Sequence, residues 1–421
     1  MKINGQLKEL LILILMGWMG FAQAQEEVPR ASWDATKTQG TYTLDADHVL
    51  AQPVILTGDL TINAGNGPHT IHRRFNDAMT SGFSGMFITL NHKLTINGTH
   101  EKKITIDGGA VYNTPGDART GFKSGYKGRC IMVETGGSLV LNHVNIQNAY
   151  ANDALPWPGY EGAGIMFKQE SGTYLNSTLT NTIIRGCHAC LGSAVKFSHR
   201  DYTNATFTAV YVYNCKTDPV AGGPDSYTGG TIRSNGSCRS KLTMDNCEVH
   251  HNETINGGGI LWNAGGAADT KLTVKGNTRI HDNVATGSGG GIHLNTKLDL
   301  QSAEIYNNNA VLGGGIAIEP YGTFNEYMEG YGVNLTITSQ VTIRNNVARD
   351  LGGGILLSII QSDEVGFNQQ GQVIANPNHT FDMQGGVITG NSARQGAGIA
   401  IRDNAAKKNV HNGVQSNEAK R

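Results

Sequence analysis

A short glycine-rich element recurs along the chain and limits its fold more than any other feature. Its strict form reads Gly-Gly-Gly-Ile, and strict copies begin at Gly257, Gly289, Gly313 and Gly352. Looser copies occur at Gly162–Ile165, Gly192–Val195, Gly229–Ile232 and Gly396–Ile399. Because consecutive glycines would break a helix at every copy, the repeat excludes a helical solenoid.

A second element precedes the strict copies. It consists of an aliphatic residue, an asparagine three positions later and a small residue two positions after that, as in Ile280, Asn283 and Ala285. Asparagine tolerates the left-handed backbone conformation of bends, and equivalent side chains in successive repeats can bond to one another. The pattern predicts a structural ladder formed by Asn252, Asn283, Asn308, Asn346 and Asn391.

Short alternating segments complete each repeat, such as Leu272–Val274, Leu298–Leu300 and Leu335–Ile337. They place aliphatic residues on one face and polar residues on the other, which is the period of a β-strand. Three short strands per repeat, always in one order, predict an all-β fold: a right-handed parallel β-helix with three faces and roughly eleven coils. An antiparallel sandwich is excluded, because the order of the elements repeats rather than reverses.

The first residues have the pattern of a secretory signal peptide. Lys2 and Lys8 precede an apolar run from Leu10 to Phe21, and Ala22-Gln-Ala24 forms a cleavage site of the A-x-A type. The run is too short to span a bilayer as a helix. We therefore expect removal of residues 1–24, export to the periplasm, the cell surface or the medium, and no transmembrane segment.

The rest of the chain divides by the regularity of the repeats. Residues 25–138 are predicted to form an N-terminal cap and the first coils, with 31–50 covering the open end. Residues 139–404 carry the regular repeats, and 405–421 form a polar tail. Since solenoids need covered ends, three alternatives stay open for the last coil around Ile399: it is incomplete, it is covered by another chain stacked end to end on it, or it is followed by a disordered tail.

The charge balance excludes one large class of partner. The chain has 33 basic and 34 acidic residues, for a formal net charge of −1. A nucleic-acid binder carries a marked excess of basic residues, so no nucleic-acid partner is expected. The 14 histidines are scattered without the spacing of metal ligands, and neither a metal site nor a cofactor is predicted.

The repeat elements resemble those of known families. The paired GGxI and IxxN elements resemble the GGA[ILV] and FxxN repeats of chlamydial polymorphic outer-membrane proteins, with Ile or Val in place of Phe. They are also similar to repeats of the pectin-lyase-like superfamily of right-handed parallel β-helices. The resemblance covers residues 139–404 firmly and 50–138 loosely. It implies a β-helix fold, with surface display and adhesion in the first group and polysaccharide cleavage in many members of the second.

Aromatic and acidic residues cluster in long insertions between the repeat elements. Aromatic rings beside carboxylates suit stacking on sugar rings and hydrogen bonding to hydroxyl groups. The candidate ligand-binding residues are Trp157, Tyr160, Glu161, Trp262, Glu319 and Tyr321. The alternative is that these rings pack their own loops against the strands.

Two functions from different classes fit these features. The leading hypothesis is a secreted or cell-surface, adhesin-like β-helix without catalytic residues, which contacts carbohydrate or another cell-surface component. The alternative is a polysaccharide lyase or glycoside hydrolase that acts on acidic glycans, with Asp153, Glu161 and Glu319 as its first candidate acids. The Asp-Asp and Gly-His-Gly signatures of polygalacturonase-like enzymes do not occur in the sequence, which favours the first hypothesis.

The cysteines offer one specific pairing. All six lie between residues 130 and 247. Cys187 and Cys215 take the asparagine position in consecutive repeats, so stacking would bring their Cα atoms about 5 Å apart, within disulfide range. The sequence leaves two alternatives open for this pair, a disulfide or two buried thiols. No other pairing is predicted.

Overall fold

All regular structure in the described part of the chain is β-strand. The computed structural model describes residues 30–77, 84–151, 161–218, 229–235, 238–263, 270–319, 334–359, 366–367, 373–374 and 380–403. The chain divides into two compact units, Met1–Ala31 and Ser32–Arg421. None of the described residues belongs to a helix that could span a membrane. The predicted signal peptide and polar tail lie outside the described residues.

Most strands belong to three parallel sheets, named A, B and C. Within the described residues, sheet A has 21 strands, sheet B has 11 and sheet C has 7. Sheet A consists of Ala31–Ser32, Gly40–Leu44, His48–Leu50, Leu60–Ala64, His69–Arg73, Lys93–Asn97, Ile104–Asp107, Ser138–Asn142, Val144–Gln147, Leu175–Thr180, Ile183–Arg185, Thr203–Thr208, Tyr211–Tyr213, Lys241–Asp245, Glu248–His250, Lys271–Lys275, Thr278–His281, Lys297–Tyr306, Asn334–Arg344, Thr380–Met383 and Val387–Thr389. Sheet B consists of Val54–Ile55, Phe87–Thr89, Ile131–Val133, Ile165–Phe167, Val195–Phe197, Ile232–Ser234, Ile260–Trp262, Ile292–Leu294, Ile316–Ile318, Ile355–Ile359 and Ile399–Asp403. Sheet C consists of Tyr150–Ala151, His188–Ala189, Lys216–Thr217, Glu253–Thr254, Val284–Ala285, Asn309–Leu312 and Val347–Leu351.

Two antiparallel hairpins are separate from these sheets. The first pairs Ala110–Thr114 with Asp117–Gly125, and the second pairs Gly366–Phe367 with Val373–Ile374. Neither segment belongs to a repeat element, so the sequence pattern predicts neither hairpin.

Each strand pairs with its equivalent in the preceding and following repeats. In sheet B, Ile292 lies opposite Ile260 on one side and Ile316 on the other. In sheet A, Ile280 likewise lies opposite Ile305. The glycine element therefore leads into sheet B, and the aliphatic residue of the asparagine element lies in sheet A. The predicted all-β class with long parallel sheets is confirmed.

Side chains alternate between the core and the outer face of each strand. In the strand Lys271–Lys275, Leu272 and Val274 are completely buried, whereas Thr273 between them is half-buried. The inward aliphatic residues of successive strands form one continuous cluster. The two-residue period of the sequence thus places the core on one face of every sheet.

The asparagines of the second element form a continuous ladder in the core. Each Nδ2 donates to Oδ1 of the next asparagine at 2.9 to 3.0 Å, from Asn252 to Asn391. The same Oδ1 atoms accept from the backbone N–H of the preceding ladder residue at 2.9 to 3.2 Å. Each Nδ2 also donates to a backbone carbonyl. The ladder therefore satisfies backbone groups that would otherwise be buried without partners.

The chain bends at the second element, and the residue before each ladder asparagine adopts the left-handed backbone conformation there. This corrects the expectation that the ladder asparagine itself adopts it. Asp282, Asn307 and Asn345 have φ angles between 51° and 55°. Short polar side chains tolerate this region at low cost. The bend at the preceding residue leaves the ladder asparagine to point into the core.

Residues 31–50 contain three strands of sheet A, of which Ala31–Ser32 is the first. Gly40–Leu44 pairs with Leu60–Ala64, and His48–Leu50 pairs with His69–Arg73. The segment therefore extends the sheet in addition to lying at its first edge.

The last described strands carry apolar side chains that no further described strand covers. Ile399 and Ile401 are 36% and 46% exposed. Their counterparts one repeat earlier, Ile355 and Leu357, are 0% and 7% exposed. This edge is the surface on which end-to-end stacking on another chain would take place.

Candidate functional site

An open pocket lies on the outer face of sheet A, where one connecting loop is longer than its neighbour. Residues 98–103 join two strands of this sheet, whereas the next repeat makes the same connection with His143 alone. The longer loop forms one wall of a pocket of about 500 Å³. Small-ligand sites fall in this range of volumes.

Two tyrosines project into this pocket from a single strand. Tyr211 and Tyr213 flank Val212, which is completely buried in the core, so both rings lie on the outer face. Tyr211 is 38% exposed. The pocket is lined by His100, Lys103, His143, Asn181, Ile183, Tyr211 and Tyr213. The site thus combines aromatic surface with hydrogen-bond donors.

Hydrogen bonds from three backbone N–H groups hold the loop 98–103 in place. The N–H of Thr99 donates to the carbonyl of Lys102 at 3.0 Å, and the N–H of Lys102 donates to Oγ1 of Thr99 at 3.1 Å. The N–H of Gly98 donates to the carbonyl of Asn142 at 2.8 Å. A Cβ at Gly98 would lie 2.4 Å from the carbonyl oxygen of His143, so only glycine permits this close approach.

The charged groups around the pocket are basic. None of its lining residues is acidic. The side chains of His100, Lys103 and His143 make no hydrogen bond or ion pair with any other residue that the structure describes. Their donors are therefore available to a bound molecule.

Tyr213 is the first ring of a stack on the same face. The ring centroids of Tyr213, His250, His281 and Tyr306 follow one another at 5.0, 5.1 and 4.5 Å, with interplanar angles of 12° or less. The guanidinium of Arg344 lies 4.2 Å from the Tyr306 ring centre. Stacking through successive repeats fixes the orientation of Tyr213 at the edge of the pocket.

Carboxylates fix the middle of this stack. His281 Nε2 lies 2.7 Å from Glu248 Oε1, and its Nδ1 lies 2.6 Å from Asp282 Oδ2. Burial raises the pKa of Glu248, but the hydrogen bond from His281 and the charge of Arg279 outweigh it and lower that pKa overall. Burial, together with the charge of His281, lowers the pKa of His250 to about 4. His250 is therefore a neutral ring at neutral pH.

Most of the outer face of sheet B is buried. One outward residue of each of nine successive strands is at most 4% exposed: Ile88, Met132, Met166, Lys196, Arg233, Leu261, His293, Ala317 and Leu356. The first three form an apolar cluster separate from the main core. Both faces of these nine strands are therefore enclosed.

Lys196 and Glu161 form an ion pair on this enclosed face. Lys196 Nζ lies 4.0 Å from Glu161 Oε2, and the two side chains are 0% and 2% exposed. Burial, opposed by the charge of Glu161, lowers the pKa of Lys196 to about 8. The carbonyl of Glu161 also accepts a 2.5 Å hydrogen bond from Nε of Arg129. Glu161 thus belongs to a buried charge cluster, which corrects the expectation that it contacts a ligand from an exposed loop.

A Lys196→Met variant should alter the pH dependence of stability. The pKa of Lys196 is about 8 in the folded protein and 10.5 in its ordinary state. The unfolded chain therefore binds more protons between these values, and the stability of the parent rises with pH through that window. The unfolding free energy of the parent minus that of Lys196→Met should therefore be about 2 kcal/mol larger at pH 10 than at pH 8. Urea unfolding at both pH values measures this shift, and a constant difference would contradict it.

Trp262 is a core residue, which corrects its assignment to a ligand-binding loop. It is the last residue of the strand Ile260–Trp262 and is completely buried. Its ring packs edge-on against Phe197, with centroids 5.2 Å apart. The strand is hard to recognise in the sequence because Leu261, which points outward, is also apolar.

The other predicted binding residues are dispersed. Glu319 lies beside the last strand of sheet B, where its Oε1 accepts a 2.9 Å hydrogen bond from Arg402 Nη2. Its Oε2 lies 3.9 Å from Nε2 of His293. Trp157, Tyr160 and Tyr321 lie outside the described residues.

Cys187 and Cys215 are free thiols, which is the second of the two alternatives for this pair. The Cys187 thiol donates to the carbonyl of Arg185 at 3.5 Å, and the Cys215 thiol donates to that of Tyr213 at 3.4 Å. The N–H of Cys215 donates to Oδ1 of Asn252 at 3.0 Å. The ladder therefore ends against Cys215, and the disulfide alternative is not formed.

Sequence reasoning missed Tyr211 and Tyr213. The available signal was an aromatic residue at both outward positions of one short strand, where the next equivalent strand carries Glu248 and His250. The pocket also requires the long loop 98–103 to lie beside this strand, and that proximity follows only from the register of the sheet.

Comparisons provide no family for this chain. They find no match among models of known protein families, among curated proteins or among solved structures. Among the described residues, no group of three or more His, Cys, Asp or Glu side chains has an arrangement that could hold a metal ion. The resemblance to polymorphic outer-membrane and pectin-lyase-like repeats stays a prediction from the sequence.

Proposed function

We propose that this chain is an exported, surface-displayed parallel β-helix that binds carbohydrate in the pocket at Tyr211 without catalysing a reaction. The observation that carries the proposal is the exposed Tyr211 ring surrounded by unpaired donors in an open pocket. The C–H face of a sugar ring packs against the tyrosine, while Asn181, Lys103 and the two imidazoles bond to its hydroxyl groups or acidic substituents.

The order of the strands along the chain supports the β-helix part of this proposal. Each regular repeat passes through two strands or strand segments of sheet A, then sheet C, then sheet B. The pairings within these sheets run to the equivalent strand of the adjacent repeat. A right-handed, three-faced β-helix satisfies all of these pairings, and roughly eleven coils match one strand of sheet B per coil.

The pocket favours binding over cleavage. Hydrolysis of a glycosidic bond uses two carboxyl groups on either side of it, and no lining residue of the pocket carries one. In the alternative enzyme, Glu161 is the first candidate acid that the structure describes, and it is enclosed in its pair with Lys196. Asp153 lies outside the described residues. These contacts therefore support the binding hypothesis.

A Tyr211→Ala variant is expected to lose at least tenfold in glycan affinity, because the aromatic surface contributes about 1.4 kcal/mol or more to binding. The purified chain is incubated with polyuronides and neutral glycans, with and without calcium, and both retention and new reducing ends are measured. Tyr202→Ala is the matched control, since Tyr202 packs against Tyr174 at a centroid distance of 5.6 Å and lies outside the pocket. Its affinity should equal that of the parent.

Two results would contradict the proposal in different ways. Formation of new reducing ends or unsaturated uronates would establish the enzyme alternative. Retention that is equal in the parent and in Tyr211→Ala would place the binding surface elsewhere.

A further inference from the structure

We infer that the pocket at Tyr211 selects sugars that carry a sulfate or phosphate ester, and that His100, Lys103 and His143 hold this tetrahedral anion. The inference rests on the proposed carbohydrate binding at the same pocket and names the chemical class of the ligand. It is argued from the positions of the basic side chains, from the absence of a competing carboxylate and from the kind of donor that each side chain supplies.

The pocket has a basic part and an apolar part, which come from different segments of sheet A. His100 and Lys103 belong to the loop 98–103, and His143 forms the one-residue bend of the next repeat. Ile183 and the two tyrosines belong to strands of the two repeats that follow. A sugar whose C–H face packs against the tyrosines therefore has the basic side chains beside it.

Backbone contacts hold the polar side chains of the pocket in adjacent repeats. The loop begins at Gly98, which approaches the carbonyl oxygen of His143 so closely that a Cβ would lie 2.4 Å from it. The N–H of His143 donates in turn to the carbonyl of Thr180 at 3.0 Å. Asn181, which follows Thr180, is the equivalent bend, and the two bends have φ angles of 52° and 48°. The donors therefore span three neighbouring rungs, or about 10 Å.

Among the described residues, nothing in the lining offsets the charge of these basic groups. None of the lining residues is acidic. Glu101 is the one carboxylate of the loop 98–103, and it is exposed and outside the lining. The side chains of His100, Lys103 and His143 make no hydrogen bond or ion pair with another described residue. A bound anion therefore reaches these groups without displacing a carboxylate.

The kind of donor favours a tetrahedral anion over a carboxylate. A carboxylate has two oxygens in one plane, which the fork of an arginine matches with two parallel hydrogen bonds. None of the described lining residues is an arginine. Lysine and histidine act instead as separate donors, and a sulfate or phosphate ester presents three terminal oxygens in different directions. The three basic side chains thus fit an ester of this kind better than a uronate.

Binding of the full chain to immobilised polymers that share one backbone tests the class of ligand. Neutral dextran, carboxymethyl dextran, dextran sulfate and dextran phosphate are compared at one salt concentration. We expect at least tenfold tighter binding to the sulfate or the phosphate polymer than to the neutral and carboxymethyl polymers. The difference between the two ester polymers identifies the ester, and the corresponding inorganic anion should compete for its binding.

A Lys103→Met variant tests whether the pocket is the source of this preference. It should lose at least tenfold in affinity for the preferred ester polymer, while its binding to neutral dextran equals that of the parent. Lys93→Met is the matched control, because Lys93 is an exposed residue of the same sheet and does not line the pocket. It removes the same charge and should bind like the parent.

The results separate this inference from the proposed function. Equal binding to the carboxymethyl and ester polymers, an ester preference that persists in Lys103→Met, or binding to none of the polymers would each overturn the inference. Carbohydrate binding at Tyr211 would survive the first two results if Tyr211→Ala still weakened binding to every polymer. Equal binding by the parent and by Tyr211→Ala would contradict both proposals.

Discussion

An Asn308→Ala variant is expected to unfold with a free energy about 3–5 kcal/mol below that of the parent. Asn308 is completely buried, and its Oδ1 accepts from the N–H of Asn283 and from Nδ2 of the same residue, at 3.1 and 3.0 Å. Its Nδ2 donates to the carbonyl of Ile280 and to Oδ1 of Asn346. Alanine leaves several of these buried groups without partners, and each costs about 1–3 kcal/mol.

The neighbouring Asn309 supplies the control for this substitution. It is exposed, and its side chain makes no hydrogen bond among the described residues. Asn309→Ala should change the unfolding free energy by less than about 0.5 kcal/mol. Urea unfolding followed by far-ultraviolet circular dichroism compares the two variants. Equal stabilities would mean that the ladder contributes little to the fold.

Trp262→Ala should lower the free energy of unfolding by about 3–5 kcal/mol, since it empties a large volume in the core. The ring of Trp262 is completely buried against Phe197, which in turn stacks on Phe167 with a centroid distance of 5.0 Å. A residue that only contacted a ligand from a loop would weaken binding and leave stability intact. The structure predicts the reverse pattern, with glycan affinity retained under conditions where the variant is folded.

Trp262→Phe separates lost volume from lost hydrogen bonding. The indole Nε1–H has no hydrogen-bond partner among the described residues, so phenylalanine removes part of the ring volume but no hydrogen bond. We expect a loss of about 1–2 kcal/mol. A loss as large as that of Trp262→Ala would show that the indole nitrogen has a structural role that the described contacts do not contain.

Much of the fold can be predicted from the repeats because they record local physical requirements. Glycine before Ile292 permits the bend into sheet B, where Gly289 has a φ of 69°. The side chain of each ladder asparagine satisfies buried backbone groups of the preceding repeat, so the spacing of these asparagines indicates which strands pair. Both signals depend on residues close in sequence, and both recur often enough to be recognised.

The candidate site could not be predicted in the same way, because it joins segments from different repeats. Lys103 and Tyr211 are 108 positions apart, and only the parallel register brings the loop 98–103 beside the tyrosines. Trp262 is the converse case, a residue that the sequence assigned to a binding site and the structure places in the core. An aromatic side chain shortly after a glycine element indicates a loop in the sequence, but Trp262 is the last residue of a strand in which Leu261 and Trp262 are both buried, on opposite faces.

A crystal structure of the chain with a retained oligosaccharide tests carbohydrate binding at Tyr211. We expect a sugar ring against Tyr211, beneath the loop 98–103 and within hydrogen-bond distance of Lys103 or Asn181. An oligosaccharide bound on another surface, with this pocket empty, would contradict binding at Tyr211.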